Sequence, residues 1–369
     1  MKILHLNAGN ETGGGMHHIL SLLKEFNREE FILGVLEKGE LLKRANGYGI
    51  KTVHFSNHLK ISVPLMQKIA NYIRQERINY IHTHGPRANV YANILKKIVP
   101  FHWIVTVHSD PEHDFLDKGM YGRFLCRIHL NAIKNADKVI AISEPFRTNL
   151  NGVGVEYNKI VTALNGIDFR KKLPKPHFRN DLGFTDNDFL FFMVARLEQV
   201  KGHSIAFEAF SQLVKKNRAC HMLLAGDGTL RNHLKQLSSS LNIEKHVHFM
   251  GHRDDVERFY EMVDTTMLTS FSESFPLVLL ESARAKTPII ASDVGGISEL
   301  IGDNSLGWRV KPGNTSELIS AMEEAIIFRN RGMLKTMGEK LQSHASSKFS
   351  LEIFAENIYN VYLSMENVN

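Results

Sequence analysis

Short runs of β-branched and aromatic residues alternate with longer amphipathic stretches along nearly the whole 369-residue chain. This alternation is typical of parallel sheets covered by helices, because consecutive parallel strands need a crossover that usually forms a helix. In the first half the pattern predicts strands near 2–6, 31–36, 51–54, 79–83, 102–107, 138–142 and 160–163. In the second half it predicts strands near 189–195, 220–225, 246–249, 264–268, 288–291 and 307–310. The predicted fold class is therefore α/β, with two Rossmann-like doubly wound domains.

The alternating pattern breaks at 168–188, where a charged stretch interrupted by prolines, from Arg170 to Pro176, is followed by polar turn residues, and this indicates a linker. The chain is also longer than the size at which a single core usually stops growing. We therefore expect one domain over 1–168 and a second over 169–349. Apolar residues at helical spacing between Leu351 and Leu363 predict a terminal helix, over about 350–369, that packs back on the first domain.

Composition narrows the class of protein. No apolar run suits a signal peptide or a membrane span, and two cysteines, Cys126 and Cys220, make neither a disulfide framework nor a structural zinc site. A cytoplasmic enzyme is expected. The net charge of +6 lies in the first half, where residues 1–168 carry 21 Lys and Arg against 15 Asp and Glu, whereas residues 169–369 carry 24 of each. No Arg-rich run or zinc finger favours a nucleic-acid partner.

A dinucleotide cofactor is the obvious ligand for Rossmann-like domains, but it requires a GxGxxG sequence after the first strand. The first domain offers Gly13-Gly14-Gly15 instead, and the second passes from Ala195 directly into Arg196. A nicotinamide or flavin dehydrogenase is therefore disfavoured. The glycines allow close approach of a ligand to the backbone and direct N–H groups at an anion. The adjacent His17 and His18 are expected to be ordinary helix residues.

The segment from Ser272 to Ala285 contains two carboxylates, Glu273 and Glu281, around an apolar helix. Pro276 suits the first helical turn, and the free N–H groups between Ser274 and Val278 suit a phosphate. The apolar residues of the helix imply deep burial, so a carboxylate within it needs a partner. Ribose hydroxyls are one candidate partner for Glu281, and a basic neighbour is the alternative.

Two cations, Arg196 and Lys201, follow the first strand of the second domain. Without a glycine cradle, a diphosphate at this strand end must be neutralised by side chains. The alternative is a pair of surface cations at a helix start. The sequence Asp186-Asn187-Asp188 spells a DxD, a metal-binding pattern, but its place before a strand predicts a turn.

Several segments, taken in order, resemble the retaining glycosyltransferases of the glycosyltransferase B fold, family four or group 1. The resemblance covers nearly the entire chain, and its segments are Gly13–Gly15, Ile81–Gly85, Thr106–His108, Ala136–Ser143, Asn165–Asp168, Ala195–Leu197 with Lys201-Gly202, Ala225–Gly228, Glu273 with Glu281, and Asp293–Gly296. It implies two domains facing each other across a cleft, with the acceptor side on the first and the nucleotide-sugar donor on the second. Ser274 departs from the glycine common at that position.

The resemblance also implies roles for individual residues. The implied catalytic set is His108, beside the anomeric carbon, with Glu273, Arg196 and Lys201. The residues implied to bind the donor are Gly14, Gly15, Arg196, Lys201, Gly251, His252, Glu273, Ser274, Phe275, Pro276, Leu277, Val278 and Glu281. On the acceptor side we expect Gly13, Arg87 and Asn165. His108 has an alternative interpretation as a capped histidine at a strand end, and Asn165 one as a turn residue.

The predicted reaction transfers a sugar from a UDP- or GDP-sugar to a hydroxyl acceptor with retention, without metal or other cofactor, in cell-surface glycan or glycolipid synthesis. The alternatives are a sugar-nucleotide epimerase of the same fold and a non-catalytic sugar-nucleotide-binding protein. Acceptor choice is expected to depend on loops such as 109–122. The acceptor is either soluble or lipid-linked, and in the latter case the basic first domain would dock on an anionic membrane through Arg87, Lys96, Lys97, Arg123 and Arg127.

Overall fold

The computed structural model describes residues 1–11, 13–26, 29–55, 62–108, 111 and 119–366. Its strands are β1 (Ile3–Asn7), β2 (Phe31–Val35), β3 (Thr52–His54), β4 (Tyr80–His84), β5 (His102–Val107), β6 (Lys138–Ala141), β7 (Ile160–Thr162), β8 (Phe189–Val194), β9 (Cys220–Ala225), β10 (Val247–Gly251), β11 (Thr265–Leu268), β12 (Ile289–Ser292) and β13 (Trp308–Val310). The predicted strands are confirmed to within one or two residues.

The helices connect these strands as the alternating pattern predicts. They are α1 (Gly14–Glu25), α2 (Glu40–Gly47), α3 (Val63–Gln75), α4 (Pro86–Leu95), α5 (Gly119–Lys134), α6 (Glu144–Gly152), α7 (His203–Lys216), α8 (Arg231–Ser240), α9 (Glu257–Tyr260), α10 (Leu277–Arg284), α11 (Ile297–Leu300), α12 (Thr315–Asn330), α13 (Met333–Lys348) and α14 (Leu351–Glu366). Among the described residues, no helix is long and apolar enough to cross a bilayer.

The chain forms two compact units, one made of Met1–Gly166 with Leu351–Asn369 and the other of Ile167–Ser350. The sheet of the first unit has the order β3-β2-β1-β4-β5-β6-β7, and that of the second has the order β10-β9-β8-β11-β12-β13. Neighbouring strands pair in parallel; for example, Ile3 pairs with both Phe31 and Tyr80. The two sheets therefore have the predicted doubly wound α/β architecture.

In each sheet the strand order reverses once, between β1 and β4 in the first unit and between β8 and β11 in the second. Open α/β sheets bind ligands beyond the carboxyl ends of their strands at this point of reversal. The residues that follow Asn7, His84, Val194 and Leu268 are therefore the ones to examine for a site.

Helix α14 completes the core of the first unit although it follows the second unit in sequence. Its Phe354, Ile358 and Tyr362 are buried in one cluster with Ile19 and Leu22 of α1. The helical spacing of these apolar residues explains the contact, since it places them on one face. A buried polar group on this face, the Tyr362 hydroxyl, thereby reaches the interior of the sheet.

The segment predicted to be a linker packs against the second unit. Phe184 is buried in a cluster with Leu190 and Phe259, and Leu173 contacts the same cluster. The Arg179 guanidinium donates to Asp264 Oδ2 at 3.0 Å. The segment after Ile167 is therefore packed against the second unit. Its prolines and charged residues indicated irregular backbone, and not a flexible linker without contacts.

Candidate functional site

In the first unit, polar groups gather where β1 and β4 end. Asn7 Nδ2 donates to the His84 carbonyl at 3.0 Å and to Glu11 Oε2 at 2.5 Å, and Asn7 Oδ1 accepts from the Gly9 N–H at 2.7 Å. Gly13 then begins α1 with a φ of 77°, which favours glycine, and a β-carbon on Gly13 or Gly14 would meet no atom within 4 Å. The start of α1 is open to an approaching group.

A cavity of about 270 Å³ lies beside these strand ends, within the first unit. Its lining includes Glu11 and the half-buried His108, together with Gly85, Pro86, Asn89, Thr106, Val107 and His129. Of the predicted acceptor loop 109–122, only Pro111 and residues 119–122 lie within the described part of the chain. The predicted His108 nevertheless lies on the wall of this cavity, beside Glu11.

Burial places His18 in a group of imidazoles, so the prediction of an ordinary helix residue was wrong. His18 Nδ1 lies 2.7 Å from Asn165 Oδ1, and its ring meets that of His108 edge-on with centroids 4.5 Å apart. Asn165 is also buried, and its side-chain oxygen is the atom that contacts His18. Sequence reasoning missed this group because its members come from separate segments with no common spacing.

The imidazole group comprises five rings and extends from the sheet interior to the cavity wall. Its members are His5, His18, His82, His84 and His108. Burial lowers the pKa of His5 to about 3 and that of His18 to about 4, and it holds the pKa values of the other three well below their usual range. At neutral pH these rings are therefore uncharged.

Two sets of three ring nitrogens lie within 4.8 Å of one another, which is close enough to hold a metal ion in principle. The sets are His5, His82 and His84, and His18, His84 and His108. Several of these nitrogens already contact each other: His5 Nδ1 lies 3.0 Å from His84 Nε2, and His84 Nδ1 lies 3.1 Å from His108 Nε2. A cation would have to break those hydrogen bonds.

Two of the cations predicted to face an acceptor or membrane are held in ion pairs. Arg87 pairs with Glu37. Lys96 is the C-cap residue of α4 and pairs with Asp137. Asp137 also accepts from the Trp103 N–H at 2.8 Å, which ties Lys96 to the sheet. The other three predicted membrane contacts are exposed, namely Lys97, Arg123 and Arg127.

In the second unit, Arg196 and Lys201 follow β8, but their surroundings differ. The Arg196 side chain is 72% exposed and its Nη1 donates to Glu198 Oε1 at 2.7 Å. Lys201 is largely buried, and its Nζ donates to Glu273 Oε1 at 2.6 Å. Ser270 donates to the same carboxylate oxygen at 2.6 Å. The two predicted charged residues Lys201 and Glu273 therefore lie in direct contact.

Backbone contacts hold the loop that carries Glu273 in place. Gly295 has a φ of 56°, and a β-carbon there would lie 2.1 Å from the Glu273 carbonyl oxygen. The Gly296 N–H donates to the Ser274 carbonyl at 2.9 Å. Helix α10 begins at Leu277, after an extended Pro276 at its cap, so the proline precedes the first turn instead of lying in it. Leu277 and Val278 are only partly buried, so this end is less deeply buried than the apolar run implied.

Glu281 finds its partner in a residue that sequence reasoning missed, Tyr260. The Tyr260 hydroxyl donates to Glu281 Oε2 at 3.1 Å. Burial raises the pKa of Glu281, while this hydrogen bond and the nearby Arg284 act in the opposite direction. Arg284 itself binds Glu257 at 2.7 Å, so a basic residue is a neighbour and not the direct hydrogen-bond partner.

The remaining predicted positions lie at turns of the second unit. Gly251, with a φ of 71°, ends β10, and its carbonyl accepts from the Gly226 N–H at 2.8 Å. His252 lies within 3.5 Å of Asp254, both largely exposed. The DxD forms the predicted turn, since Asp188 Oδ2 accepts from the N–H and hydroxyl of Thr185. That carboxylate is engaged in local structure.

The fold has close counterparts among solved structures. Anabaena Alr3699/HepE, solved in complex with UDP and with UDP-glucose, matches with a TM-score of 0.85 at 23% identity, over 99% of this chain and 100% of that one. Together with the two doubly wound sheets, this likeness defines a two-domain α/β protein of the glycosyltransferase B fold.

Sequence comparisons identify the family. Residues 174–343 match the model described as glycosyl transferases group 1, and residues 12–171 match that of glycosyltransferase family 4. The chain belongs to this family of glycosyltransferases. Its relatives include UDP-Gal:alpha-D-GlcNAc-diphosphoundecaprenol alpha-1,3-galactosyltransferase of Escherichia coli, 24% identical over 79% of this chain and 77% of that protein. Another is N-acetyl-alpha-D-glucosaminyl L-malate synthase of Bacillus anthracis, 26% identical over 81% of this chain and 78% of that protein.

Proposed function

We propose that this glycosyltransferase moves a sugar from a UDP- or GDP-sugar to a hydroxyl acceptor with retention and without a metal ion. The observation that carries the proposal is the charged group at the strand reversal of the second unit. There Lys201 and Glu273 lie in contact, and Arg196, like Lys201, follows β8. Complexes of the Anabaena protein with UDP and UDP-glucose support a nucleotide-sugar donor.

The diphosphate of the donor is assigned to Arg196, Lys201 and the start of α10. Charge-assisted contacts from two cations strengthen as negative charge grows on the departing diphosphate. The first N–H groups of α10, after Ser274, Phe275 and Pro276, have no side-chain cap and add partial positive charge. Lys201 would release or share Glu273, whose second oxygen then serves hydroxyls of the transferred sugar.

The nucleoside is assigned to the other end of the same group. Glu281 holds a hydrogen bond from Tyr260 on one oxygen, and its remaining lone pairs suit the two ribose hydroxyls. The base is assigned to backbone groups at Gly251 and His252. The hydrogen bond from the Tyr260 hydroxyl lowers the free-energy cost of keeping the partly buried Glu281 carboxylate ionised.

The acceptor side is assigned to the first unit, with the cavity beside His108 and with Gly13 at the cap of α1, whereas Gly14 and Gly15 are assigned to the donor. We infer that a hydroxyl of the acceptor attacks the anomeric carbon from the face the diphosphate leaves, and that the leaving phosphate takes the proton. We favour same-face attack over double displacement because the sequence pattern of residues 1–168 indicates no obvious nucleophile, and Glu11 in the cavity lining is the carboxylate that the alternative would require. The setting proposed remains cytoplasmic, in cell-surface glycan or glycolipid synthesis.

Helix α5 supports a lipid-linked acceptor. Its exposed apolar residues Met120, Tyr121, Phe124 and Ile128 share one helical stripe, flanked by exposed Arg123 and Arg127. The opposite side is buried through residues such as His129 and Ile133. Apolar residues beside basic ones suit the surface of an anionic membrane. The Escherichia coli relative, whose name includes diphosphoundecaprenol, favours this class of acceptor, whereas the Bacillus anthracis malate synthase represents the soluble alternative.

The function is tested by a thermal-shift screen of UDP- and GDP-sugars, followed by transfer assays with the donor that stabilises the protein. A ligand at 100 times its Kd stabilises the folded state by about 2.7 kcal/mol. We expect one donor to raise Tm and to yield an α-linked product from an α-linked donor. A product with inverted configuration refutes retention, and a new nucleotide sugar formed without acceptor identifies an epimerase.

A further inference from the structure

A continuous series of hydrogen bonds runs through the interior of the first unit and ends at His108. It joins Thr106 Oγ1 to His82 Nε2 at 2.7 Å and His82 Nδ1 to the Tyr362 hydroxyl at 2.6 Å. The same hydroxyl lies 3.2 Å from His5 Nε2. From there the contacts pass from His5 Nδ1 to His84 Nε2 at 3.0 Å and from His84 Nδ1 to His108 Nε2 at 3.1 Å.

Two ring nitrogens at these distances need one proton between them, because two lone pairs repel and two N–H groups collide. A neutral imidazole carries one proton and one lone pair, so a ring that accepts a hydrogen bond at one nitrogen must donate at the other. The direction of one hydrogen bond in the series therefore fixes the direction of the next. The Tyr362 hydroxyl donates either towards His82 or towards His5. The series therefore has two consistent patterns, which differ in whether the outer nitrogen of His108 accepts or donates.

The Thr106 hydroxyl decides between the two patterns. Thr106 is 1% exposed, and among the described residues its hydroxyl is hydrogen-bonded to His82 Nε2. If His82 donated to Thr106, the hydroxyl proton would have no acceptor among the described residues, and a buried group left unsatisfied in this way costs about 1–3 kcal/mol. The hydroxyl therefore donates to His82 Nε2, and His82 carries its proton on Nδ1.

This direction propagates to the cavity. His82 Nδ1–H donates to Tyr362, Tyr362 donates to His5 Nε2, and His5 Nδ1–H donates to His84 Nε2. His84 Nδ1–H then donates to His108 Nε2. His108 is left with its proton on Nδ1, the nitrogen outside the series, on a residue that lines the cavity with Glu11.

We propose that Thr106, His82, Tyr362, His5 and His84 hold His108 as its Nδ1–H tautomer, so that His108 donates a hydrogen bond to an oxygen of the bound substrate. Tyr362 is a positioning residue in this scheme, supplied by the helix that returns to the first unit after the second. The proposal rests on the proposed function only for the identity of that oxygen, a hydroxyl or ring oxygen of a sugar. His108 is accordingly a hydrogen-bond donor and not a general base.

The tautomer is measured by two-bond ¹H–¹⁵N correlation spectra of histidine-labelled protein without ligands, with His108 assigned from the His108→Gln spectrum. We expect Nδ1 of His108 to be protonated and Nε2 to be bare. Thr106→Val removes the donor that sets the direction, and Tyr362→Phe breaks the series, so both should give a mixture of tautomers at His108. Thr106→Ser keeps the hydroxyl and should restore the wild-type spectrum.

Kinetics of the same variants connect the tautomer with turnover. Thr106→Val and Tyr362→Phe should lower kcat/KM by about two- to tenfold, the scale of one neutral hydrogen bond, while Thr106→Ser stays near wild type. Signals of His129, which is buried in α5 of the first unit and lies outside the series, report whether that unit is folded in each variant. A change confined to stability, with the tautomer signal intact in both disruptive variants, refutes the positioning role.

Three spectral results overturn the proposal outright: a wild-type His108 protonated on Nε2, a doubly protonated His108 at pH 7, or imidazole signals that move when EDTA strips a bound metal. The spectra need no donor or acceptor. An Nδ1–H tautomer of His108 in a protein without transferase activity would therefore refute the proposed function alone. An Nε2–H tautomer of His108 in an active enzyme would refute only the proposed role of the hydrogen-bond series.

Discussion

Exposure separates the two cations assigned to the diphosphate. Because Arg196 is 72% exposed, Arg196→Ala should leave the free energy of unfolding nearly unchanged. It should still lower kcat/KM by roughly 10- to 150-fold, corresponding to about 1.5–3 kcal/mol of lost charge-assisted contact in the transition state. Steady-state kinetics and urea unfolding measure the two effects.

Lys201→Ala should lose comparable activity but also destabilise the fold, because it leaves the Glu273 carboxylate largely buried without its cation. A matched control is Lys216→Ala, which removes an exposed lysine paired with Glu323 in the same unit. The control should behave as wild type. An Arg196→Ala enzyme with unchanged kcat/KM would remove this residue from the diphosphate site.

Glu281→Gln tests the buried carboxyl. Burial raises the folded-state pKa of Glu281, so its ionisation costs stability as pH rises from the ordinary glutamate value of 4.5 through the raised one. Gln keeps an acceptor for Tyr260 and cannot ionise. The variant should therefore gain stability relative to wild type as pH rises across that window, while losing affinity for the donor.

Urea unfolding at pH 4.5 and pH 8, compared between the two proteins, gives the stability difference, and titration with the donor gives the affinity. Tyr260→Phe is the companion variant, since it leaves the carboxyl but removes its donor. A stability difference that shrinks with rising pH, or donor affinity retained in Glu281→Gln, would contradict the assigned role.

At the scale of elements, periodicity predicted the strands, the doubly wound class and the terminal helix, because each depends on residues close in sequence. The contacts between elements were not accessible in this way. Nothing in the spacing of His5, His84 and His108 shows that three neighbouring strands bring them together, and nothing near Glu281 points to Tyr260. The ion pair of Lys96, a predicted membrane contact, was equally inaccessible, because its partner Asp137 lies on another segment.

Helix α5 is the element that tests the membrane proposal. Arg123→Gln with Arg127→Gln, or Phe124→Ser with Met120→Ser, should each reduce sedimentation with anionic vesicles, because one pair supplies charge and the other apolar contact. Each basic residue near an anionic leaflet contributes about 1 kcal/mol, so the double arginine variant should bind roughly 30-fold more weakly at low salt.

The control replaces Lys335 and Lys340 of α13 by Gln, which removes two exposed charges from the second unit. It should sediment as wild type, and high salt should release both proteins. Wild-type protein that stays in the supernatant with anionic vesicles at low salt would exclude this mode of docking and direct the search to soluble acceptors.

For the molecule as a whole, we predict that turnover survives chelation. The Asp188 carboxylate of the DxD turn accepts from Thr185, and most nitrogens of the imidazole group are hydrogen-bonded, either to one another or to Thr106, Tyr362 and Asn165. The charge of the departing diphosphate is assigned to Arg196, Lys201 and the start of α10, which supply fixed positive charge without a cation. Enzyme dialysed against EDTA should therefore keep its kcat/KM in metal-free buffer, and added magnesium or manganese should not raise it. Turnover abolished by EDTA and restored by either ion would show that a metal shares this role, and the assignment of the diphosphate to side chains alone would then be wrong.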